Sequence, residues 1–301
     1  MSDTTTSLRR KIGSAGDLQS VVRTMKAMAA SNIGQYEQSV RALDDYTRSV
    51  ELGLSVCLRN GAPAAVMPDG EERTTAGPVG AVVFGSDQGL VGRFNDTVAD
   101  AATKALAKRP GSALIWAVGE RVQARLADAG LVPASVYAVP NSVKAITPLI
   151  GKILVECETR YSRGEIAELH LFYNRPTSGA VYQPARQRLL PLDRLWRRQR
   201  AALPWPTGNL PEVVGDTADS QGRGATLRAL IREYLFVSLF RACAESLASE
   251  NASRLAAMQR ADRNIEELLE GLNGSFHRLR QSGIDAELFD VVAGFEMLAG
   301  S

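Results

Sequence analysis

Long hydrophobic runs are missing from this sequence of 301 residues. No stretch reaches the roughly eighteen consecutive apolar residues that a membrane-spanning helix needs. The first residues, MSDTTTSLRRKIG, also lack the apolar segment of a signal peptide. The chain is therefore expected to be cytosolic and not to cross a membrane by itself.

Cysteine and histidine are both scarce. Cys57, Cys157 and Cys243 are widely spaced and odd in number, which favours buried thiols over a disulfide framework or a metal site. Neither His170 nor His277 has a second histidine or cysteine at metal-ligand spacing. The formal net charge is only +2, which gives no general reason to expect nucleic acid. The sequence thus predicts no metal, no cofactor and no nucleic-acid partner.

Two long segments carry apolar residues at alternating spacings of four and three. The first series runs from Leu8 to Cys57, and no proline interrupts it. The second runs from Phe240 to Leu279 and then changes phase, so that Ile284 and Leu288 continue it. A sustained 3.5-residue repeat is typical of coiled coils. Residues 1–60 and 225–301 are therefore predicted to pair as an antiparallel coiled coil.

The middle of the chain, residues 76–195, has a different pattern. Short apolar runs alternate with helical periodicity, which predicts an α/β domain of Rossmann-like, doubly wound type. The predicted strands are 79–85, 113–119 and 135–140, the predicted helices are about 93–108, 119–129 and 142–162, and a hairpin is predicted from 166–174 and 181–192. Residues 196–224 are predicted to be an irregular, Pro- and Gly-rich connection.

Motifs of catalysis are weak in this middle region. The segment SDQGLVG follows the first predicted strand, but it is neither a dinucleotide fingerprint nor a P-loop, and Ser86 does not lie in a nucleophile elbow. A structural turn in which Ser86 or Asp87 caps the next helix is the favoured interpretation. A small-ligand site near Asp87 and Gly89 is the alternative. It would belong to an α/β enzyme that uses its helical arms to oligomerise.

A basic run surrounds Trp196 and consists of Arg194, Arg197, Arg198 and Arg200. Such a run fits a solvated loop. It equally fits a contact with an acidic partner or a membrane-proximal subunit. The sequence leaves both interpretations open.

Three segments together resemble the gamma subunit of F-type ATP synthases. The opening LRRKIGSAGDLQSVVRTMKAMAASNI resembles that family's first helix, and SDQGLVGRFN is similar to its Ser-Asp-x-Gly-Leu-Cys-Gly segment. SLASENASRLAAMQRADRNIEELLEGLNGSFHRLRQSGIDAELFDVVAGFEML resembles its C-terminal helix. The likeness covers nearly the whole chain. It implies a non-catalytic rotor that couples ion flow through a membrane ring to ATP synthesis or hydrolysis.

The same resemblance implies the partners and the location. They are the alpha and beta subunits of a catalytic ring, the epsilon subunit and the c-subunit ring, at the cytoplasmic face of a bacterial plasma membrane. Two departures from the family pattern indicate a divergent gamma subunit, of a main or an alternative ATPase. Ile284-Asp285-Ala286-Glu287-Leu288 replaces Ile-Thr-Gln-Glu-Leu, and Val91-Gly92-Arg93 replaces Cys-Gly-Gly. A free coiled-coil adaptor remains a further alternative.

Specific residues are matched to the family's coupling contacts. The resemblance aligns Met25 and Lys26 with positions near the contact with the beta subunit. It aligns Arg254, Arg280 and Gln281 with residues that contact the catalytic ring. The heptad series places Arg254 at an inward position, so a pairing inside the coiled coil is an alternative for it.

The end of the second series is predicted to form an apolar tip. Val292, Phe295 and Leu298 recur at three-residue spacing beyond the point that the first helix is expected to cover. The start of the first helix at Leu8 is expected to face residues 281–285. The tip is expected to enter an apolar sleeve formed by the alpha and beta subunits.

Overall fold

The computed structural model describes residues 4–59, 77–109, 111–178, 181–209 and 221–299, and it describes the side chains of α6 only for residues 224–293. Its elements, in chain order, are α1 (Thr5–Arg59), β1 (Val79–Phe84), α2 (Phe94–Leu106), β2 (Ala113–Val118), α3 (Glu120–Asp128), β3 (Ser135–Tyr137), α4 (Val143–Ser162), β4 (Glu168–Arg175), β5 (Gln183–Leu190), α5 (Arg194–Ala201) and α6 (Gln221–Ala299). Within these ranges, no helix is both long enough and apolar enough to cross a bilayer.

The chain divides into two compact units. The sheet unit is Ala30–Ser253, and the tip unit joins the residues up to Ala29 with those from Arg254 onward. The long helices α1 and α6 each contribute residues to both units.

The sheet unit contains one five-stranded sheet in the order β3-β2-β1-β4-β5. β1 pairs in parallel with β2 and β4, and β5 closes the edge antiparallel to β4. Every residue of β1 is buried because helices cover both faces of the sheet. The predicted Rossmann-like alternation and the predicted hairpin are both confirmed, with bounds that differ by a few residues.

Each face of the sheet has its own core. On one face α2 and α3 pack through Val98, Val122 and Leu126 against Ala81 and Val83 of β1. The other face is larger and includes Trp116 and Leu171. There α4 and the adjoining parts of α1 and α6 supply the apolar partners, among them Ile150, Leu54 and Leu239. The long helices therefore belong to the same core as the sheet.

The helix pairing is antiparallel in each unit. In the sheet unit, Asn32 contacts Asn251, Asp44 contacts Arg241 and Tyr46 contacts Glu233, so that rising numbers on α1 meet falling numbers on α6. In the tip unit, Arg9 lies over the ring of Phe276, and Lys26 meets Asp262. The first heptad series is confirmed, since Leu8, Ala15, Val22, Ala29 and Tyr36 are all buried at seven-residue spacing.

The second heptad series is wrong at Leu268, which is 54% exposed. Its neighbour Leu269 packs against the cluster of Val22, Met258 and Ile265 instead. A straight helix has 3.6 residues per turn, so an inward stripe drifts away from a strict 3.5-residue series. The expected pairing of Leu8 with residues 281–285 is also wrong by about a turn, because Arg9 already contacts Phe276.

The connection predicted for 196–224 contains a helix in its first part. α5 begins after Asp193, whose carboxylate accepts a hydrogen bond of 2.8 Å from the backbone nitrogen of Trp196. The Trp196 ring then packs edge-on against Tyr234 of α6, with 5.1 Å between ring centroids. This helix depends on a contact with a distant residue, which local periodicity does not reveal. Residues 210–220 of the predicted connection lie outside the described residues.

Candidate partner-contact surfaces

An ion-pair cluster joins the two helices of the tip unit. Lys26 Nζ lies 2.8 Å from one carboxylate oxygen of Asp262, and Arg23 Nε lies 3.4 Å from the other. The hydrogen bond from Lys26 lowers the pKa of Asp262 below its ordinary value. Lys26, matched by resemblance to a contact with another subunit, is thus already paired within its own chain.

Around this cluster the outer side of α1 is smooth and largely apolar. Met25 is half-buried and packs with Val22 at the helix seam. Leu18, Val21 and Met28 are each more than half exposed. Single exposed apolar residues are ordinary, but three within about three turns of one helix form a surface that suits an apolar host.

Of the other matched residues, Arg254 is half-buried and already has an interaction within the chain. Arg280 and Gln281 are exposed. Val292, of the predicted tip, is 47% exposed. The side chains of Phe295 and Leu298 lie outside the described residues.

The distal part of α6 is exposed over its whole described length. Every side chain from 280 to 293 is exposed. Several of them are large and apolar: Ile284, Leu288, Phe289, Val291 and Val292. Leu288 is 62% and Phe289 is 73% exposed. Apolar surface of this density marks a site of interaction with another protein.

The loop after β1 is a structural turn rather than a ligand cradle. One carboxylate oxygen of Asp87 accepts a 3.0 Å hydrogen bond from the nitrogen of Glu120, and the other accepts a 2.8 Å bond from the nitrogen of Val139. Asp87 therefore caps α3, not the next helix α2 as predicted. A Cβ on Gly85 would lie 2.3 Å from Val122, so this glycine permits close packing.

The same loop is held at two further points. Ser86 and the Asn95 side chain exchange hydrogen bonds of 2.8 and 2.9 Å in a buried pair. The Ser253 hydroxyl of α6 donates a 2.5 Å bond to the carbonyl of Val91. The Ser86 N–H and the Asn95 amide are thus already used as donors within the loop, which argues against the alternative of a small-ligand site.

His170 belongs to a buried polar network. Its Nε2 lies 2.7 Å from a carboxylate oxygen of Glu168, and that oxygen also accepts a 2.9 Å bond from Arg109. Arg186 donates to His170 Nδ1 at 3.4 Å. Burial lowers the pKa of His170, and the donor at Nδ1 favours the neutral ring with its proton on Nε2. The two-residue spacing of Glu168 and His170 on a strand places both side chains on one face, but the sequence does not identify the two arginines.

In the part of the chain that the structure describes, no group of three or more His, Cys, Asp or Glu side chains could hold a metal ion. The three cysteines are buried thiols, as predicted.

Comparison with known proteins gives a consistent result. The family model described as ATP synthase matches residues 4–298. The ATP synthase gamma chain of Sorangium cellulosum is 26% identical, over 97% of this chain and 98% of its own length. The corresponding gamma chain of Rhizorhabdus wittichii is 28% identical with the same coverage of both chains.

Solved structures with a similar fold come from rotary assemblies. A chain in the Euglena gracilis mitochondrial ATP synthase structure of OSCP, F1 and c-ring superposes with a TM-score of 0.64 at 16% identity, covering 98% of this chain and 94% of its own. A chain of the rotor from the same organism superposes with a TM-score of 0.60, covering 93% and 98%. At this identity the likeness establishes the fold.

Proposed function

Because the chain belongs to the ATP synthase family, and its curated relatives are gamma chains, we propose that it is the central-stalk rotor of a membrane-bound F-type ATP synthase or ATPase. It couples ion flow through a membrane ring to ATP synthesis or hydrolysis in a ring of alpha and beta subunits. It has no catalytic site of its own. Its other partners are the epsilon subunit and the c-subunit ring, at the cytoplasmic face of a bacterial plasma membrane.

The observation that carries this proposal is the exposure of large apolar side chains along the distal part of α6, from residue 280 onward. A stretch in which Leu288, Phe289 and Val292 are all exposed is suited to burial against a partner protein. The surrounding alpha and beta subunits would provide that partner surface.

A subunit that rotates inside a ring should make few contacts that hold it in one orientation. In the tip unit Lys26 and Asp262 form an ion pair, so neither charge needs a partner in another subunit. The outer side of α1 presents Leu18, Val21 and Met28, which make no directional bonds. The thioether of Met28 adapts to different neighbours. This surface would slide against an apolar lining without large barriers.

The polar residues Arg254, Arg280 and Gln281, which the resemblance matches to contacts with the catalytic ring, would help to couple rotation to ATP synthesis or hydrolysis. Gln281 and Arg280 are exposed at the start of the distal part of α6. We expect Gln281→Ala to leave the chain folded while lowering ATPase turnover or assembly of the complex. Arg254→Ala is expected to do the same, although its existing interaction within the chain adds a stability effect. Normal turnover and assembly in both variants would remove these residues from the coupling surface.

The proposal is tested by purifying the tagged full chain from native membranes. The alpha and beta subunits of an ATPase should co-purify in stoichiometric amounts, and the complex should hydrolyse ATP. The purified chain alone should show no ATPase activity and no nucleotide binding. Intrinsic nucleotide binding would support the enzyme alternative, and self-association without alpha and beta subunits would support the adaptor.

A further inference from the structure

The two edges of the five-stranded sheet differ in how they are protected from pairing with another chain. At one edge, β5 carries the exposed Arg186 and Arg188 and also Pro184, which has no N–H to offer to a further strand. Charged side chains and proline on an edge strand are common means of preventing such pairing. At the other edge lies β3, and residues 129–140, which include it, contain no charged residue. The β3 edge therefore lacks the charges that protect the β5 edge.

β3 is held firmly from its inner side. It pairs in parallel with β2, which is the one strand beside it among the described residues. From α4, the carboxylate of Glu156 accepts hydrogen bonds from the Tyr137 hydroxyl at 2.5 Å and from the Ser135 hydroxyl at 3.2 Å. A backbone that is already fixed in an extended conformation loses little entropy when a further strand pairs with it. The outer edge of β3 is thus preformed.

Exposed valines lie near both faces of this edge. Successive side chains of a strand point to opposite faces, so Val136 points away from the face on which Ser135 and Tyr137 meet α4. Val136 is 40% exposed, and Val132, shortly before β3, is 77% exposed. On the α4 side Val155, the neighbour of Glu156, is 50% exposed. The alternating side chains of an added strand would find apolar contacts on either face.

A groove of about 340 Å³ continues from the end of β3. Its lining includes Tyr137 and Pro140, and from α4 Leu149 and Lys152. Lys152 is exposed and makes no ion pair among the described residues. A carboxylate is the electrostatic complement of this ammonium group. Since residues 129–140 contain no Asp or Glu, the same segment of a second copy could not supply it.

We propose that the β3 edge binds an extended, apolar segment of another protein, which pairs with β3 as an additional strand and places a carboxylate beside Lys152. An extended segment is favoured because only another strand matches the regularly spaced N–H and C=O groups of a strand edge. A helix satisfies its backbone groups internally, and lipid tails have none to offer. The surface involves neither α1 nor α6, so the inference is independent of the proposed function.

The test uses the full-length chain and a fluorescent, amide-capped peptide in which valine alternates with threonine and one end carries a glutamate. Fluorescence anisotropy should show saturable binding. Binding should also slow hydrogen exchange of backbone amides among residues 135–137. The same peptide N-methylated at every residue keeps its side chains but has no N–H to donate. It should bind at least about ten-fold more weakly, because each lost hydrogen bond contributes about 1 kcal/mol.

Substitutions in the chain locate the site. Val136→Lys places a charge on the edge and should weaken binding at least about ten-fold. Val181→Lys makes the same change at an exposed valine outside residues 129–140 and should leave binding unchanged. Lys152→Gln should weaken binding of the glutamate peptide about two- to five-fold, without affecting a glutamine peptide. Lys144→Gln removes another exposed lysine of α4, outside the groove lining, and should have no effect.

Several results would overturn the proposal. They are the absence of saturable binding at millimolar peptide, equal binding of the N-methylated peptide, and equal weakening by Val136→Lys and Val181→Lys. If Val136→Lys lowers the melting temperature, hydrogen exchange in the native chain decides, and a lack of protection at residues 135–137 contradicts strand pairing. If the chain instead self-associates through Val136 in sedimentation velocity and binds no peptide, the edge pairs with a second copy, which overturns the proposal as well.

Discussion

The two ends of α6 differ in what covers them. In the sheet unit its residues Leu227, Leu235, Leu239 and Leu247 are almost completely buried against α1 and the sheet. Beyond residue 280, side chains of the same apolar type are exposed. Both ends are helical, so the difference lies in the neighbours and not in the local conformation. One end builds the fold, and the other keeps apolar surface available for a partner.

The largest expected change in stability comes from truncating a side chain in the buried end of α6. Leu239 is fully buried, so Leu239→Ala should lower the free energy of unfolding by about 2–5 kcal/mol. Leu288→Ala makes the same chemical change in the exposed end and should alter it by less than about 0.5 kcal/mol. Urea unfolding followed by far-UV circular dichroism measures both. Similar losses in the two variants would mean that the distal part of α6 is covered within the chain.

The complementary prediction concerns assembly. Val292→Asp should leave the free chain as stable as before, because this side chain is 47% exposed. It should weaken association with alpha and beta subunits at least about ten-fold, since an apolar sleeve would bury an unpaired carboxylate. Val292→Ile keeps the apolar character and should associate normally. If both variants associate equally well, the distal part of α6 is not enclosed by a partner. By the same reasoning Phe295→Asp should weaken assembly and Phe295→Leu should not.

Sequence periodicity was informative where a structural period persists over many turns. Leu8, Ala15, Val22 and Ala29 are buried at the expected spacing because a coiled-coil seam repeats every seven residues. It failed at Leu268, where the drift of a straight helix moves the seam to the next residue. The strands were predictable for a similar reason, since a strand buried on both faces is continuously apolar.

Features that depend on distant partners could not be predicted. Asp87 caps α3 because the fold brings the nitrogen of Glu120 close to the end of β1. Local sequence patterns do not reveal this long-range contact. α5 exists because Asp193 and Tyr234 hold it. The residues predicted to act in coupling were identified through family resemblance alone. The pairing of Lys26 with Asp262 is evident only in the three-dimensional structure.

The two histidines, one buried and one exposed, differ in how they should make stability depend on pH. His170 is buried in the sheet unit with a lowered pKa, so below its ordinary value of 6.5 the unfolded chain takes up a proton that the folded chain does not. Stability should therefore fall as pH drops below that value, by at most about 1.4 kcal/mol per pH unit. His170→Gln should remove this slope, and the exposed His277→Gln should keep it. An unchanged slope in His170→Gln would assign it to other groups.

The smallest expected effect lies in the tip unit, at the carboxylate that pairs with Lys26 and Arg23. The hydrogen bond from Lys26 lowers the pKa of Asp262, so its contribution to stability is complete above the ordinary value of 3.8 and is lost as pH falls through the lower folded value. At neutral pH, Asp262→Asn should reduce the melting temperature slightly in low salt. The difference should disappear in about 1 M salt, where the Debye length is only about 3 Å. Asp290→Asn removes a carboxylate from the exposed end of α6 and should not change the melting temperature in either condition. A decrease for Asp262→Asn that persists in high salt would mean that this residue stabilises the helix pair by packing and not by its charge.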